Sequence, residues 1–441
     1  MKKSLILIST LLASTLVIAG CGKNKNSENN NNNNNNNSQQ QQVNALATPV
    51  VTIDQETGIA SWAPVANAKG YIYKLNGAEK ATLKTSIQLS NGDTLQVKAT
   101  GDGKTYSNSE YSEAVTYLQA GSAGLPVPEN GHYMVDADVI QDGNTRYLVY
   151  TTNKSKAQED NVIAIKKGEL TADGWVYGAQ SIAIEGSSDG WDQFIGSASV
   201  TKGNFVLGED TYNWVMAYAA TTNEEGTASS IGLAVAKDIQ GEWVKIENPI
   251  IEYNSEVYGA NMAGYYAPSV VNYNKASGIR VFYTYADAYG HFAHFYDADL
   301  SDLSNIDGVS AMITNKGDIQ GGDAVTMFPN ADFAYDAVNE NFYAVKDYSP
   351  SAATKPNVAD QFELLHIAEE ELYTTEDGDG WVSDFYVDYI DLDNGYERAY
   401  SACIVSDVYG HKLETTEIIY NVCQTGENYL HTQKLMSYIE E

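Results

Sequence analysis

One phrase recurs along this chain and constrains its fold more than any other feature. In residues 134–151, M-V-D-A-D-V-I-Q-D-G-N-T-R-Y-L-V-Y-T, a short apolar run opens on an acidic pair, passes through a polar turn (Gln141, Asp142, Gly143, Asn144) and returns as alternating aromatic and aliphatic residues. That is the pattern of a β-hairpin with carboxylates at the entrance of its first strand. I-G-S-A-S-V at 195–200, followed by W-V-M-A-Y, repeats it, as does Y-Y-A-P-S-V-V at 265–271 with R-V-F-Y-T behind it. N-A-D-F at 330–333 precedes N-F-Y-A-V, and a weaker copy, A-Y-S-A-C-I-V, begins at Ala399. Anchored on Ala137, Ala198, Pro268, Ala331 and about Ala402, the period is about 60 to 70 residues, which suits a propeller blade with long loops. Five copies predict five blades.

The start of the chain sets its destination. Lys2 and Lys3 precede an apolar run over 5–18 that is short for a permanent span, and the run ends in I-A-G-C at Cys21. This ending resembles a bacterial lipobox, which implies cleavage after Gly20, lipidation of Cys21 and a peripheral protein on the extracellular face of the cell membrane. Residues 22–45 are nearly all Asn, Gln, Ser and Lys, with nothing to bury, so they read as a disordered tether.

With 58 acidic against 26 basic residues and a formal charge of −32, the chain has the opposite balance to a nucleic-acid binder. Thirty-two Tyr and 36 Gly against nine Pro favour many strands and turns. Cys403 and Cys423 lie in neighbouring strand-like runs, where either a disulfide or two buried free thiols is expected.

Between residues 48 and 117 some seven short alternating runs are separated by turn signals, the pattern of a small β-sandwich. Trp62, the Tyr71/Tyr73 pair and the Val97/Ala99 strand followed by Ser107, Ser109 and Tyr111 resemble the fibronectin type III-like modules of bacterial surface proteins, with Trp62 expected in the core. Residues 119–128, rich in Gly, Ser and Pro, form a linker. Beyond it the chain is strand-rich, with short helical stretches expected only around 368–372 and at the C-terminus. S-S-I-G-L-A-V-A-K-D followed by G-E-W at Trp243 continues the repeat, with counterparts ending at Trp175 and Trp381.

The D-x-D-V-I opening, the A-P-S-V-V phrase, S-I-G-L-A-V-A-K-D…G-E-W and the N-F-Y-A-V type strands resemble the five-bladed propellers of glycoside hydrolase family 43 and its relatives. The resemblance spans about residues 130–436. The expected class is all-β, an Ig/fibronectin-like sandwich followed by a five-bladed propeller. The expected parts are a lipoprotein signal peptide (1–20), a tether (21–45), a fibronectin type III-like module (46–118) and the propeller (119–441).

In a propeller the repeat starts converge on an axial pocket. Alignment puts Asp136, Ser197, Ala267 and Asn330 in register just before the anchoring Ala or Pro. The resemblance implies that Asp136 is a general base, with Ala137 where the family has Pro. Inverting hydrolysis needs a second, protonated carboxyl on the other side of the bond. The family draws a pKa-tuning Asp from blade two and the acid from blade three; at those places stand Ser197 and Tyr266.

Asp192, Glu256, Asp323 and Asp332 are substitutes that could reach the axis from loops, each also readable as a solvated carboxylate or turn former. Asp332 could equally hydrogen-bond a neighbouring blade, and Asp138 is expected to face away from Asp136. Trp191, Tyr258, Tyr265, Tyr266 and Tyr335 could stack on sugar rings or pack between blades. His291 and His294, three apart in a strand, should face opposite ways, which disfavours a shared metal. No cofactor motif is present; analogy admits a structural Ca²⁺ on the axis, though no loop carries a Ca²⁺ ligand ladder. Three readings stay open: a hydrolase of polysaccharides or oligosaccharides with Asp136 as base, a non-catalytic glycan-binding lipoprotein, and an adhesin-like protein. In each, the chain is expected to be a monomer that touches the membrane through its lipid alone.

Overall fold

The computed structural model describes residues 43–440, apart from 54–58, 90–92, 118–123, 130, 157–159, 172–173, 260, 288–289, 321–322, 325–327, 349–355, 357, 374–378 and 389–395. The expected signal peptide, Cys21 and the tether up to residue 42 lie outside the described residues, as does the side chain of Asp323; the last tether residues are corrected, because Asn44–Ala45 forms a short strand parallel to Tyr106–Ser107 of the first unit. Backbone contacts divide the chain into two compact units, with the change between residues 119 and 120.

The first unit is a two-sheet sandwich. Val51–Ile53, Ile59–Trp62 and Ser86–Gln88 form one sheet; Ala78–Thr82, Gly70–Leu75, Thr94–Thr100 and Val115–Thr116 form the other, in that spatial order. Thr94–Thr100 alternates between half-buried and buried along its length, which is what one face against a core requires. Trp62 is in that core, edge-on to Tyr71 at 5.4 Å, with Leu95, Val97 and Ala99. The Ser112 and Ser109 hydroxyls accept the N–H groups of Val97 and Ala99 at 3.0 and 2.9 Å, closing a stretch of edge that no strand covers.

The second unit is a ring of five sheets, antiparallel except where the short strand Ser406–Asp407 adds in parallel to the axial strand of blade one. Blade one comprises Val135–Asp142, Thr145–Asn153, Asn161–Thr171 and Gly174–Glu185; blade two Phe194–Leu207, Asp210–Thr221, Ser230–Ala236 and Trp243–Lys245. Blade three comprises Gly264–Val271, Gly278–Ala286, His291–Asp299 and Gly308–Met312; blade four Asp332–Asp336, Asn341–Asp347, Gln361–Ala368 and Val382–Asp388. Blade five has three strands among the described residues, Arg398–Ile404, Glu417–Cys423 and Lys434–Ile439. The opening hairpin forms as its sequence predicts, with Asp142 paired to Thr145 across Gly143, whose φ of 59° suits a residue without a Cβ.

Five hydrophobic clusters prove the ring closed. Each contains residues of two adjacent blades: Val149 with Met216, Leu233 with Val281, Phe282 with Phe342, Leu364 with Ile418, and Leu148 with Ile419. The last joins blade five to blade one. A central strand in such a ring has a neighbour on both faces, so Ser230–Ala236 and Glu417–Cys423 are buried at every position. An outermost strand has none beyond it, and Gly174–Glu185 is largely open. Trp243 and Trp381 fill interblade cores, while Trp175 lies under the Arg146 guanidinium at 4.3 Å.

Among the described residues helix is confined to Ser255–Tyr258 and two short 3-10 turns, Glu369–Glu371 and Tyr429–Thr432; the C-terminal stretch is a strand. Among the described residues no helix is long and apolar enough to cross a membrane. Cys403 and Cys423 are buried free thiols, so the disulfide alternative falls: the ladder sets Cys403 beside Ile419 and Cys423 beside Arg398.

Candidate functional site at the propeller axis

Each innermost strand carries the same irregularity at the same place. Asp136, Ser197, Ala267, Asn330 and Ser401 all have positive φ, between 35° and 51°. In four blades the ladder slips there, between Val135 and Asp138, Gly196 and Ala198, Tyr266 and Ser269, and Tyr400 and Cys403; in blade four the strand starts just after Asn330. These are β-bulges, in which one extra residue is inserted and its side chain re-aimed. A left-handed backbone is tolerable for Asp and Asn but costs Ala and Ser about 1–2 kcal/mol each. Strain repeated five times around one axis marks a place where side-chain direction matters.

Together with the residue that follows each of them, and with Asp138, Ser199 and Asp332, these five line a cavity on the axis with a volume of 40 Å³. That is room for about three water molecules. A larger ligand must therefore sit at its mouth, against the first ring: Asp136, Ser197, Ala267, Asn330 and Ser401.

In that ring Asp136 is the one carboxylate. Ser401 donates its hydroxyl to Asp136 Oδ1 at 2.7 Å, Ser197 makes a second side-chain bond, and the Asp136 N–H donates to Asn421 Oδ1 at 3.2 Å. Asp136 keeps part of its surface open to the cavity, yet the blades around it strip away most of its water. That burial outweighs the two hydroxyls and raises the carboxyl to about 6. Beside it, Asp347 is buried on the second strand of blade four, accepting the Ser401 N–H at 2.7 Å and the Asn330 amide at 2.6 Å. Burial, with the charge of Asp136 adding to it, raises Asp347 to about 7.

Two residues deeper lies a second ring, Asp138, Ser199, Ser269, Asp332 and Cys403, which works differently. Asp138 Oδ2 accepts the N–H of Val200 in blade two at 2.9 Å, and Ser199 Oγ accepts that of Val270 in blade three at 3.0 Å. Ser269 Oγ accepts from Phe333 in blade four at 2.9 Å, and Asp332 Oδ2 from Ile404 in blade five at 2.7 Å. Val139 N–H faces the Cys403 sulfur and completes the circuit. Each blade is thus stapled to the next by one acceptor. Burial raises Asp138 to about 7, helped by the charge of Asp332 across the axis, and burial raises Asp332 to about 6.

The expectation that Asp138 faces away from Asp136 is corrected: both line the cavity, because residues two apart in a strand share a face and the bulge turns Asp136 inward as well. Asn330 sits in the first ring and Asp332 in the second, where it bonds blade five.

Neither Asp192 nor Glu256 lines the axial cavity. Asp192 is buried, but Lys245 holds it at 2.6 Å with Tyr218 at 3.2 Å, tying a loop to the outermost strand of blade two. Burial pushes that carboxyl up; Lys245, Ser187 and Tyr218 more than offset it and hold it below the usual range. Glu256 is exposed in the first turn of Ser255–Tyr258, whose amides Asn254 caps. Asp323 belongs to the small ladder Ile319–Gln320 with Asp323–Ala324.

Among the aromatics, Trp191 stacks on Tyr218 at 5.7 Å and donates to the Glu247 carbonyl, a packing role. Tyr266 is buried in a bond between its hydroxyl and His291 Nδ1, near Asp347. Tyr335 packs on Phe342. Tyr258 is 46% exposed and touches Tyr253 and Tyr285, and half-buried Tyr265 touches both of those, so these four rings form one cluster at the blade-three edge of the same end. His294 lies against Tyr283 and Tyr285, where burial lowers it to about 4. Among the described residues no group of three or more His, Cys, Asp or Glu is arranged to hold a metal ion.

Ser401 and Asp347 are neighbours of Asp136 that the repeat alone did not single out. The fifth repeat could have yielded Ser401, which precedes Ala402 as Asp136 precedes Ala137. Asp347 closes the second strand of its repeat, where blades one, three and five carry Thr151, Thr284 and Asn421, and no periodicity distinguishes it.

The fold and the site define a five-bladed propeller with a single-carboxylate axial mouth. Several solved structures are similar to this chain. A thermostable family-43 glycoside hydrolase is 14% identical, with 71% of this chain and 90% of that one covered and a TM-score of 0.46. A family 117 glycoside hydrolase from Zobellia galactanivorans is 11% identical (70% and 84% covered, TM-score 0.46), and an α-L-arabinofuranosidase from Podospora anserina, in complex with cellotriose, is 12% identical (72% and 94% covered, TM-score 0.42). No family model matches the sequence, and no curated protein does. The chemistry of the site is therefore read from its own residues.

Proposed function

We propose that this protein is a saccharide-binding lipoprotein of the bacterial cell surface, held by a lipid on Cys21 and a tether over 21–43, with the fibronectin type III-like module as a spacer. The axial mouth is its binding site. One observation carries this reading: of five equivalent positions turned toward the axis, one bears a carboxylate and the rest bear hydroxyl, amide or methyl groups. Such a ring matches a neutral, hydroxyl-rich ligand, with Asp136 as acceptor for a pair of hydroxyls. The Tyr253, Tyr258, Tyr265 and Tyr285 cluster adds ring faces suited to sugar C–H groups. A net charge of −32 turns anionic ligands away.

Calorimetric titration of the full-length protein with neutral arabino-, xylo- and cello-oligosaccharides tests it. Saturable binding that Asp136→Asn weakens about tenfold is the expected result. Absence of heat with all three series would remove this reading.

A second reading, hydrolysis, is favoured by one feature: Asp136, raised to about 6, shares Ser401 with Asp347, raised to about 7, so a base and a protonated carboxyl coexist near neutral pH. Against it, both oxygens of Asp347 are already engaged by Asn330 and Ser401. Release of p-nitrophenol from aryl arabinosides or xylosides, abolished by Asp136→Asn, would make the protein a hydrolase.

A further inference from the structure

A second cavity lies at the same end of the propeller. It has a volume of 230 Å³ and is bounded by Lys154, Asp160, Asn161, Glu185, Gln193 and Phe194. Asn153 pairs with Asn161 and Val162 with Glu185, two strands out from the axial strand of blade one. At about 4.8 Å per strand this places the cleft about 10 Å from the axial strand of blade one. Phe194 begins the axial strand of blade two, three residues before Ser197, about 10 Å along the same strand.

The chemistry of the cleft is specific. Lys154 Nζ is neutralised by Glu185 Oε2 at 2.7 Å, Asp160 Oδ1 accepts the Ser155 N–H at 2.9 Å, and the Gln193 amide nitrogen donates to the Gly190 carbonyl at 3.0 Å. Asn161 Oδ1 accepts the Tyr133 hydroxyl. The Asn161 amide nitrogen, the Gln193 side-chain oxygen and one oxygen each of Asp160 and Glu185 have no partner among the described residues. Two carboxylates against one ammonium leave the cleft net negative, which disfavours uronates, sulfates and phosphates. Unpaired amide and carboxylate groups around one half-buried phenyl ring are the furnishing of a neutral sugar site: in-plane acceptors and donors for hydroxyls, an apolar face for C–H groups.

We infer that this cleft is a subsite for one neutral sugar residue of a chain whose end occupies the axial mouth. The inference rests on the saccharide reading and extends it to an oligosaccharide of at least three units, laid from the axis toward the junction of blades one and two. Specificity for chain length then resides in the cleft, and recognition of the terminal residue at Asp136.

Titrating the full-length protein with neutral oligosaccharides of one to five units separates the two sites. In the parent, affinity should climb with length; in Gln193→Ala and in Phe194→Leu that climb should vanish, with longer ligands losing about tenfold and the monosaccharide unchanged. Asp136→Asn should weaken every length alike. Thermal melting of each variant checks the fold, and the two cleft substitutions, one polar and one apolar, guard against a single failure. Parent-like binding of every length by both cleft variants overturns the subsite while the axial reading stands. Preference for a uronate oligomer over its neutral counterpart overturns it too, and no binding at any length by the parent ends both.

Discussion

Two rings of side chains encircle the same axis two residues apart, and they differ in what is repeated from blade to blade. The deeper ring, Asp138, Ser199, Ser269, Asp332 and Cys403, is uniform in role: every member is an acceptor for a main-chain N–H of the next blade. The upper ring, Asp136, Ser197, Ala267, Asn330 and Ser401, is uniform in backbone, all left-handed, and mixed in chemistry. Where the fold must close, side chains do one job in five places. At the proposed binding mouth, only the backbone repeats. The comparison can be broken by showing that either ring does the other's work.

The junction of blades five and one offers the largest effect. Its staple is a thiol, a weak acceptor, and the junction is reinforced elsewhere. Arg146 of blade one makes a buried two-pronged ion pair with Glu417 of blade five, Asn421 donates to the Met134 carbonyl at 2.7 Å, and Ser406–Asp407 runs parallel to Ile140–Gln141. Arg146→Met leaves Glu417 buried with Ser437 as its remaining side-chain donor, so unfolding in urea should register a loss of about 3–5 kcal/mol. A loss below about 1 kcal/mol would mean that apolar packing alone closes the ring.

Next in size is the staple itself. Asp138→Ala strands the buried Val200 N–H and should cost about 1–3 kcal/mol. Asp136→Asn, one layer up, should leave the melting temperature unchanged or raise it while weakening saccharide binding. Equal destabilisation by both substitutions would erase the distinction between the rings.

A pH titration sharpens the same point. Asp136, Asp138, Asp332 and Asp347 are all raised, to between about 6 and about 7, so between pH 4 and 7 the folded protein holds more protons than the unfolded chain. Their contribution to stability is complete below the unfolded carboxyl range and is lost as pH climbs through 6 and 7, at about 1.4 kcal/mol per pH unit for each extra proton held. Melting temperature should therefore fall from pH 5 to pH 8. Asp332→Asn keeps an acceptor for Ile404, removes the repulsion on Asp138 and should flatten the decline. An unchanged slope would mean that the axial carboxyls are not what titrates.

Much of this was legible in the chain. The five repeats fixed the blades because the axial phrase must be apolar, turn-bounded and followed by an aromatic strand in every copy. Asp136, Ser197, Ala267 and Asn330 could be aligned before any fold was known. What could not be read was the bulge. An extra residue in the left-handed region of an Asp or Ala leaves no compositional trace, although the period of two by itself places Asp136 and Asp138 on one face of the strand. Asp192 misled because an acidic residue just upstream of an axial strand is close in sequence to the mouth. Its partner Lys245, 53 residues on, could not be paired with it by spacing. The cleft at Phe194 was invisible for the same reason, being built where three strand ends of two blades meet.

The smallest effect isolates the strain in the upper ring. Ala267 has φ of 48°, a methyl group and no polar function, so it pays for the left-handed backbone without offering a ligand anything beyond shape. Replacing it with Gly removes the clash between Cβ and the following carbonyl, about 1–2 kcal/mol, and adds back unfolded-chain entropy of about 0.4–1 kcal/mol. Ala267→Gly should therefore stabilise the protein by no more than about 1.5 kcal/mol and leave saccharide affinity as it was. If the gain in stability comes with weaker binding, the methyl group shapes the mouth, and all five positions of the upper ring belong to recognition. If neither changes, the left-handed turn at blade three is dictated by the ladder around it, and strain in this ring follows from the fold and not from the ligand.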